Sequence, residues 1–274
     1  MIDRKLVTID LDGTTLNNQS KLSTKTKKVI KAASKAGHIV SIVTGRPNRL
    51  STPIYDALEL ESPMINFNGS LGFNPHQKWS EEYQFTINRD IVLDLLKNYQ
   101  RFDINLIAAE GKNLFLAQQQ QPTELNFFPS VLQANEELNS RSLSQDPTSL
   151  TIQASENKLQ SLSIYIEEKY GLMVDVNAWG GPHNVIEVGH KGIQKATGVE
   201  KIAHYFQIKR QNIIAFGDES NDNAMIDYAG WGVAMNNANS HLKSIANDVT
   251  RLDNENDGLA DYLSDYLQLD AANF

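Results

Sequence analysis

The sequence predicts an α/β protein with a doubly wound, parallel-sheet (Rossmann-like) core interrupted by an inserted α/β domain. Short apolar runs alternate with helix-like segments near both ends of the chain, the grammar of a sheet covered by helices. The runs are apolar almost throughout instead of alternating with polar residues, as strands buried on both faces are. Between Asn68 and Lys195 lie more than a hundred residues, too many for a crossover or a loop, so a second domain is expected there.

The elements follow in order. Lys5–Asp10 is a buried strand that ends in acid. Ser23–Ala36 is a helix with Ser23 or Thr24 as N-cap and Gly37 as its stop. His38–Val43 and Pro63–Phe67 are further strands. The last third repeats the pattern, with helices over Lys195–Phe206, Asn221–Ala229 and Leu259–Leu267 and strands over Asn212–Phe216 and Gly232–Met235. The insert is expected over residues 84–184, leaving 1–83 and 185–274 to the core. Within it, Asp90–Tyr99 and Lys158–Tyr170 read as helices, Asn105–Ala109 and Leu150–Gln153 as strands, and the Gln118–Gln121 run as a loop.

Composition narrows the function. The 274 residues carry 25 Lys+Arg against 33 Asp+Glu, a net charge of −8 without a basic run. That balance suits neither nucleic acid nor an anionic membrane surface. There is no cysteine, which excludes disulfides, thiolate chemistry and sulfur-ligated metals. No apolar stretch is long enough for a membrane span and no signal peptide is evident at the start, so a cytoplasmic protein is expected. Nothing in the sequence sets an oligomeric state.

Four segments carry chemistry. In Asp10-Leu11-Asp12-Gly13-Thr14 two carboxylates follow a strand directly, at the end where open α/β sheets bind ligands. Acids so close call for a cation, and Mg²⁺ suits an all-oxygen site. A calcium loop counted from Asp10 is excluded, because Thr15 stands where that loop needs Gly. Thr44-Gly45 after the second strand offers a hydroxyl and a backbone N–H to a phosphate. In Phe216-Gly217-Asp218-Glu219-Ser220-Asn221-Asp222 a strand again ends in acids, one of which is placed to complete a Mg²⁺ shell begun by Asp10; Asn221 or Asp222 lies near a helix start, where Ser220 or Asn221 as a simple cap is the alternative. Lys195 supplies a cation at the start of a helix. An acidic pair, a hydroxyl cradle, a cation and a third acid together make a complete phosphoryl-transfer site.

In this order the segments resemble the haloacid dehalogenase-like (HAD) superfamily, in particular its Cof-like, type IIB-capped phosphatases. The resemblance runs from residue 6 to about residue 235 and extends to Asp257-Gly258-Leu259-Ala260. It implies a Mg²⁺-dependent phosphatase acting on a small phosphorylated metabolite, sugar phosphates first and flavin or pyridoxal phosphates next, with the insert as a cap. Asp10 would be the nucleophile and form a phosphoaspartate. Asp12 would act as general acid, then base. Mg²⁺ would be held by Asp10, the Asp12 carbonyl and Asp218. Leu11, Thr44, Gly45, Lys195 and Asn221 would hold the phosphoryl oxygens, and Asp222 would orient the loop or Lys195. Ala196 departs from the family's usual Gly, so Lys191-Gly192 competes for the lysine position; spacing from Ile186-Glu187 favours Lys195. Arg46 is a candidate for a second anionic group or for a surface salt bridge, and Asn68 for substrate contact at a hinge turn. A phosphomutase on the same scaffold and a non-catalytic phospho-ligand sensor are the alternatives.

Overall fold

In the computed structural model, which describes residues 4–120, 125, 127–179 and 183–269, the chain opens as β1 (Leu6–Ile9), α1 (Thr24–Lys35), β2 (Ile39–Ile42), α2 (Asn48–Leu58) and β3 (Met64–Asn66). It continues through β4 (Leu71–Phe73), β5 (Tyr83–Gln84), α3 (Arg89–Lys97), β6 (Ile104–Gly111), β7 (Leu114–Gln119), β8 (Ser149–Ala154), α4 (Glu156–Tyr170), β9 (Val174–Ala178) and β10 (Val185–His190). It ends with α5 (Lys195–Tyr205), β11 (Ile213–Gly217), α6 (Asn223–Tyr228), β12 (Trp231–Ala234), α7 (Ser240–Ile245), β13 (Asp248–Val249) and α8 (Gly258–Tyr266). Two compact units result, residues 1–83 with 194–274, and residues 84–193.

The first unit is built on a parallel sheet in the order β13-β12-β11-β1-β2, which β3 joins through a bridge between Val43 and Ile65. The chain moves outward from β1 to β2 and then returns on the other side of it as β11. That reversal between β1 and β11 is the switch point at which open sheets bind ligands beyond their carboxyl ends. Register sets the level of those ends: Ile9 lies opposite Ile42 on one side and Phe216 on the other. Leu6, Val7, Ile9, Ile214 and Phe216 are fully buried, as their unbroken apolar runs require. Helix α1 starts where Ser23 Oγ accepts the Thr26 N–H at 3.0 Å and stops before Gly37, whose φ is +93°. Its Thr26, Val29, Ile30 and Ala33 bury one helical stripe. Helix α2 escapes the sequence reading because Pro53 lies inside it, and a residue without an N–H reads locally as a helix break.

The second unit is an antiparallel sheet in the order β7-β6-β8-β10-β9. One face, with Ile107, Ala109, Ile152, Ile186 and Val188, packs on α3 and α4 through Ile91, Val92, Leu95, Leu162 and Ile166. Leu106, Ala108 and Val185 on the other face gather Leu125 and Phe128. Two expectations change here. The chain leaves this unit after Ile193 rather than 184, because β10 is hydrogen-bonded on both edges, to β8 and β9, and buries Ile186 and Val188 in this sheet. Gln118 and Gln119 belong to strand β7, which pairs with β6 on one edge and is bridged to Glu137 through Ala117 on the other; Gln121 is outside the described residues.

The turn after β3 is a strained 3₁₀ turn, with Phe67, Asn68 and Gly69 at φ of +49°, +53° and +109°. A Cβ on Gly69 would stand 2.2 Å from the Gln194 carbonyl oxygen, one residue before Lys195. Gly69→Ala is therefore expected to cost about 1–3 kcal/mol and to lower the thermal midpoint measurably, with hydrolytic activity falling alongside. An unchanged melting curve would show that the backbone yields at this point without strain.

Candidate active site

The site grows out of the strand ends. Asp10 continues the β1 ladder by donating its N–H to the Phe216 carbonyl at 3.1 Å, while Val43 donates to Ile9 at 2.9 Å. Two turns then tighten beyond β1. Thr14, Thr15 and Leu16 all direct their N–H groups at the Leu11 carbonyl, and Thr15 Oγ1 donates to the Asp10 carbonyl at 2.5 Å. Gly13 permits this with φ +70°; a Cβ there would fall 2.1 Å from Asp218 Oδ2. Thr14 Oγ1 reaches Asp218 Oδ1 at 3.1 Å, and Asn237 Nδ2 donates to the Gly13 carbonyl at 2.8 Å.

Lys195 is the first residue of α5, a position where a cation opposes the helix dipole. Gln194 and Thr197 close a capping box around it. Its fully buried ammonium donates to Asp10 Oδ1 and to Asp222 Oδ1, each at 2.6 Å. Burial alone would lower this ammonium, but the Asp10 and Asp222 carboxylates outweigh it and hold Lys195 above its usual range. Lys191, the competing lysine, lies on the second unit with its Nζ 2.6 Å from Asp175.

Asp222 uses both carboxylate oxygens. Oδ1 takes Lys195, and Oδ2 accepts the N–H groups of Asp218 and Glu219 at 3.0 and 3.1 Å. It thereby fixes the loop after β11 and the lysine together. Asp10, Asp218 and Asp222 each place a carboxylate oxygen within 4.8 Å of the others. Since Asp222 is fully engaged, Asp10 and Asp218 are the pair able to serve a cation. Burial and neighbouring acids disfavour the charged form of both. Burial first, then the Asp222 and Asp218 charges, raise Asp10 well above the carboxylate range despite Lys195. Burial first, then Asp222, pushes Asp218 up to about 7. When all four are ionised, Asp10, Asp12, Asp218 and Asp222 exceed Lys195 and Arg46 by two charges, and a phosphate dianion would then meet net repulsion without a divalent cation.

The remaining candidates lie along the rim of the same unit. Thr44 is buried; its N–H donates to Ile65 at 2.9 Å, its carbonyl accepts from Asn68 at 3.1 Å, and its Oγ1 accepts the Arg46 N–H at 3.1 Å. Gly45 lies against the Asn68 amide. Asn221 Nδ2 donates to Asn68 Oδ1 at 3.0 Å, which ties two candidate substrate contacts to each other. Arg46 forms a bidentate pair with Asp12, Nε to Oδ2 at 2.7 Å and Nη2 to Oδ1 at 2.5 Å, and also reaches Ser20 Oγ at 3.1 Å. The sequence reading missed the parts played by Thr14, Thr15, Ser20 and Asn237. The two threonines directly follow the acidic pair, so their place in the motif was a usable signal; Asn237, with Ala238, falls in the tail that fits the family resemblance, and Ser20 carries no signal.

The model of the haloacid dehalogenase-like hydrolase family matches residues 7–263. The 5-amino-6-(5-phospho-D-ribitylamino)uracil phosphatase YitU of Bacillus subtilis is 34% identical, covering 96% of this chain and 98% of its own. The pyridoxal phosphate phosphatase YbhA of Escherichia coli is 26% identical, with 96% and 98% covered. Among solved structures, a haloacid dehalogenase-like hydrolase from Bacteroides thetaiotaomicron gives a TM-score of 0.83 at 22% identity, covering 96% of this chain and 99% of that one. A HAD subclass IIB sugar phosphatase gives 0.77 at 22% identity, with 96% and 98% covered. These two likenesses bear on the fold.

A raised Asp218 fixes the sign of a pH effect. The folded chain keeps a proton that the unfolded chain gives up above about 4. The stability this contributes is complete below about 4 and is lost as pH rises through about 7. Thermal midpoints of metal-free protein are therefore expected to fall between pH 5 and pH 8, less steeply in Asp218→Asn. Midpoints that rise over this window, or that fall equally in the variant, would contradict the assignment.

Proposed function

We propose that this chain, which belongs to the haloacid dehalogenase-like hydrolase family and is a phosphatase, hydrolyses its small phosphorylated metabolite through a phosphoaspartate on Asp10. The observation that carries this reading is the buried Lys195 ammonium, shared by Asp10 and Asp222 beside Asp218. It supports a fixed carboxylate at the sheet's switch point with positive charge on one side and a candidate cation position on the other.

In the first step an Asp10 carboxylate oxygen forms a bond to phosphorus and the ester P–O bond breaks. Asp12, paired as a carboxylate with Arg46 in the resting structure, must take up a proton before the ester is cleaved, and it gives that proton to the departing alkoxide. In the second step Asp12 takes a proton from water, the water oxygen attacks phosphorus, and the Asp10 carboxylate leaves, releasing phosphate. Lys195 keeps the Asp10 carboxyl in place and offsets charge on the phosphoryl group. Thr44 Oγ1, the Gly45 and Leu11 N–H groups and Asn221 are the donors for phosphoryl oxygens. Asp222 holds Lys195 and the loop after Asp218 together. Mg²⁺ would be held by the Asp10 and Asp218 carboxylates and the Asp12 backbone carbonyl, and bound there it supplies charge neutralisation.

The relatives named for 5-amino-6-(5-phospho-D-ribitylamino)uracil and for pyridoxal phosphate share one chemistry, a phosphate ester of a primary alcohol. That class, with sugar phosphates, is the proposed substrate range. An alkoxide of this kind leaves poorly unless protonated, which gives Asp12 its task. Phosphate release from p-nitrophenyl phosphate is expected only with Mg²⁺ and is expected to drop at least about 10³-fold in Asp10→Asn. Release that survives in folded Asp10→Asn would remove Asp10 as nucleophile.

A further inference from the structure

We propose that Arg46 is the positioning residue for Asp12, acting together with Ser20, and that it confers efficiency on esters with poor leaving groups. This rests on the reading of Asp12 as proton donor and acceptor. The two partners of the pair differ in freedom. The Asp12 side chain is 48% exposed, whereas the Arg46 side chain is 11% exposed. Among the described residues, both hydrogen bonds on the Asp12 carboxylate come from Arg46.

Arg46 is anchored through its own backbone. Its N–H donates to Thr44 Oγ1 at 3.1 Å, and its carbonyl accepts from the Phe67 N–H at 3.3 Å and from Asn66 Nδ2 at 2.9 Å. Its guanidinium gains a further contact from Ser20 Oγ. Ser20 sits in the left-handed region at φ +56°, held there by its N–H donating to the Asn17 carbonyl at 2.8 Å. A serine seldom occupies that region, so the turn carries strain whose visible result is a hydroxyl brought to Arg46. Exposed ion pairs add little to stability, but a bidentate fork on an anchored guanidinium fixes the plane and direction of a carboxyl. A proton donor has to lie within hydrogen-bond reach of the leaving oxygen, and a freely rotating carboxyl would spend much of its time elsewhere.

Leaving-group chemistry separates positioning from binding. An alkyl phosphate needs its alkoxide protonated as the P–O bond breaks, whereas p-nitrophenolate departs without a proton. In Arg46→Gln, kcat/KM for a primary alkyl phosphate such as ribose 5-phosphate is expected to fall at least about 30-fold. For p-nitrophenyl phosphate it is expected to change less than about 3-fold. Arg46→Lys recovers little, because an ammonium cannot form the fork, and Ser20→Ala shifts the two esters apart in the same direction by a smaller factor. Equal losses for both esters, or a uniform rise in KM with kcat unchanged, would overturn the proposal in favour of a structural or substrate-binding role. A readout without turnover keeps this distinct from failure of the hydrolase reading. By NMR, the Arg46 Nε proton is expected to exchange slowly in the wild type and rapidly in Asp12→Ala. Equal exchange rates in both would also overturn the proposal.

Discussion

The arrangement depends on one buried ammonium. Lys195 has no access to water, and an unpaired charge in that position would be prohibitive. Its two carboxylate partners come from distant parts of the chain, Asp10 from the end of β1 and Asp222 from the loop after β11. Removing either would leave charge buried without compensation, so the three groups are constrained to fold as a unit. That requirement explains the box at the start of α5, the strained turn that lets Gly69 abut Gln194, and the engagement of both Asp222 oxygens. Asp10 and Asp218 thereby become the acids left for other duties.

Topology makes the cluster possible. With β1 and β11 adjacent and parallel, and the winding reversing between them, the residues just past both strands arrive at the same level. No loop has to reach across the sheet. Arg46 extends the same logic from the next strand: the chain after β2 is tied to β3 through Thr44 and Asn66, and from that anchored base it meets the more exposed Asp12.

The legibility of this protein in its sequence followed the density of local signals. The strands of the parallel sheet were readable because burial on both faces demands unbroken apolar runs, and Ser23 with Gly37 marked both ends of α1. Helix α2 was hidden by Pro53, since local propensity reads proline as a break where tertiary packing keeps the helix. Residues 185–190 were left to the core because no local signal states which sheet they join; only the pairing of β10 with β8 and β9 decides that. At the site, acids following strands stood out as a motif. The Arg46–Asp12 fork and the Ser20 contact did not, because each joins residues of ordinary type across a gap that only the folded backbone closes. No described helix is long and apolar enough to cross a membrane, in keeping with the absence of such a stretch in the sequence.

The central claim is that Asp10 becomes covalently phosphorylated. Its most direct test is to quench the enzyme in acid during turnover and map the phosphoryl group by mass spectrometry, with hydroxylamine treatment as the check for an acyl phosphate. The account predicts a hydroxylamine-labile phosphoryl group on the peptide containing Asp10, assigned to that residue. Phosphate release with no such adduct at any time during turnover, or an adduct on Asp12 or Asp218, would contradict it.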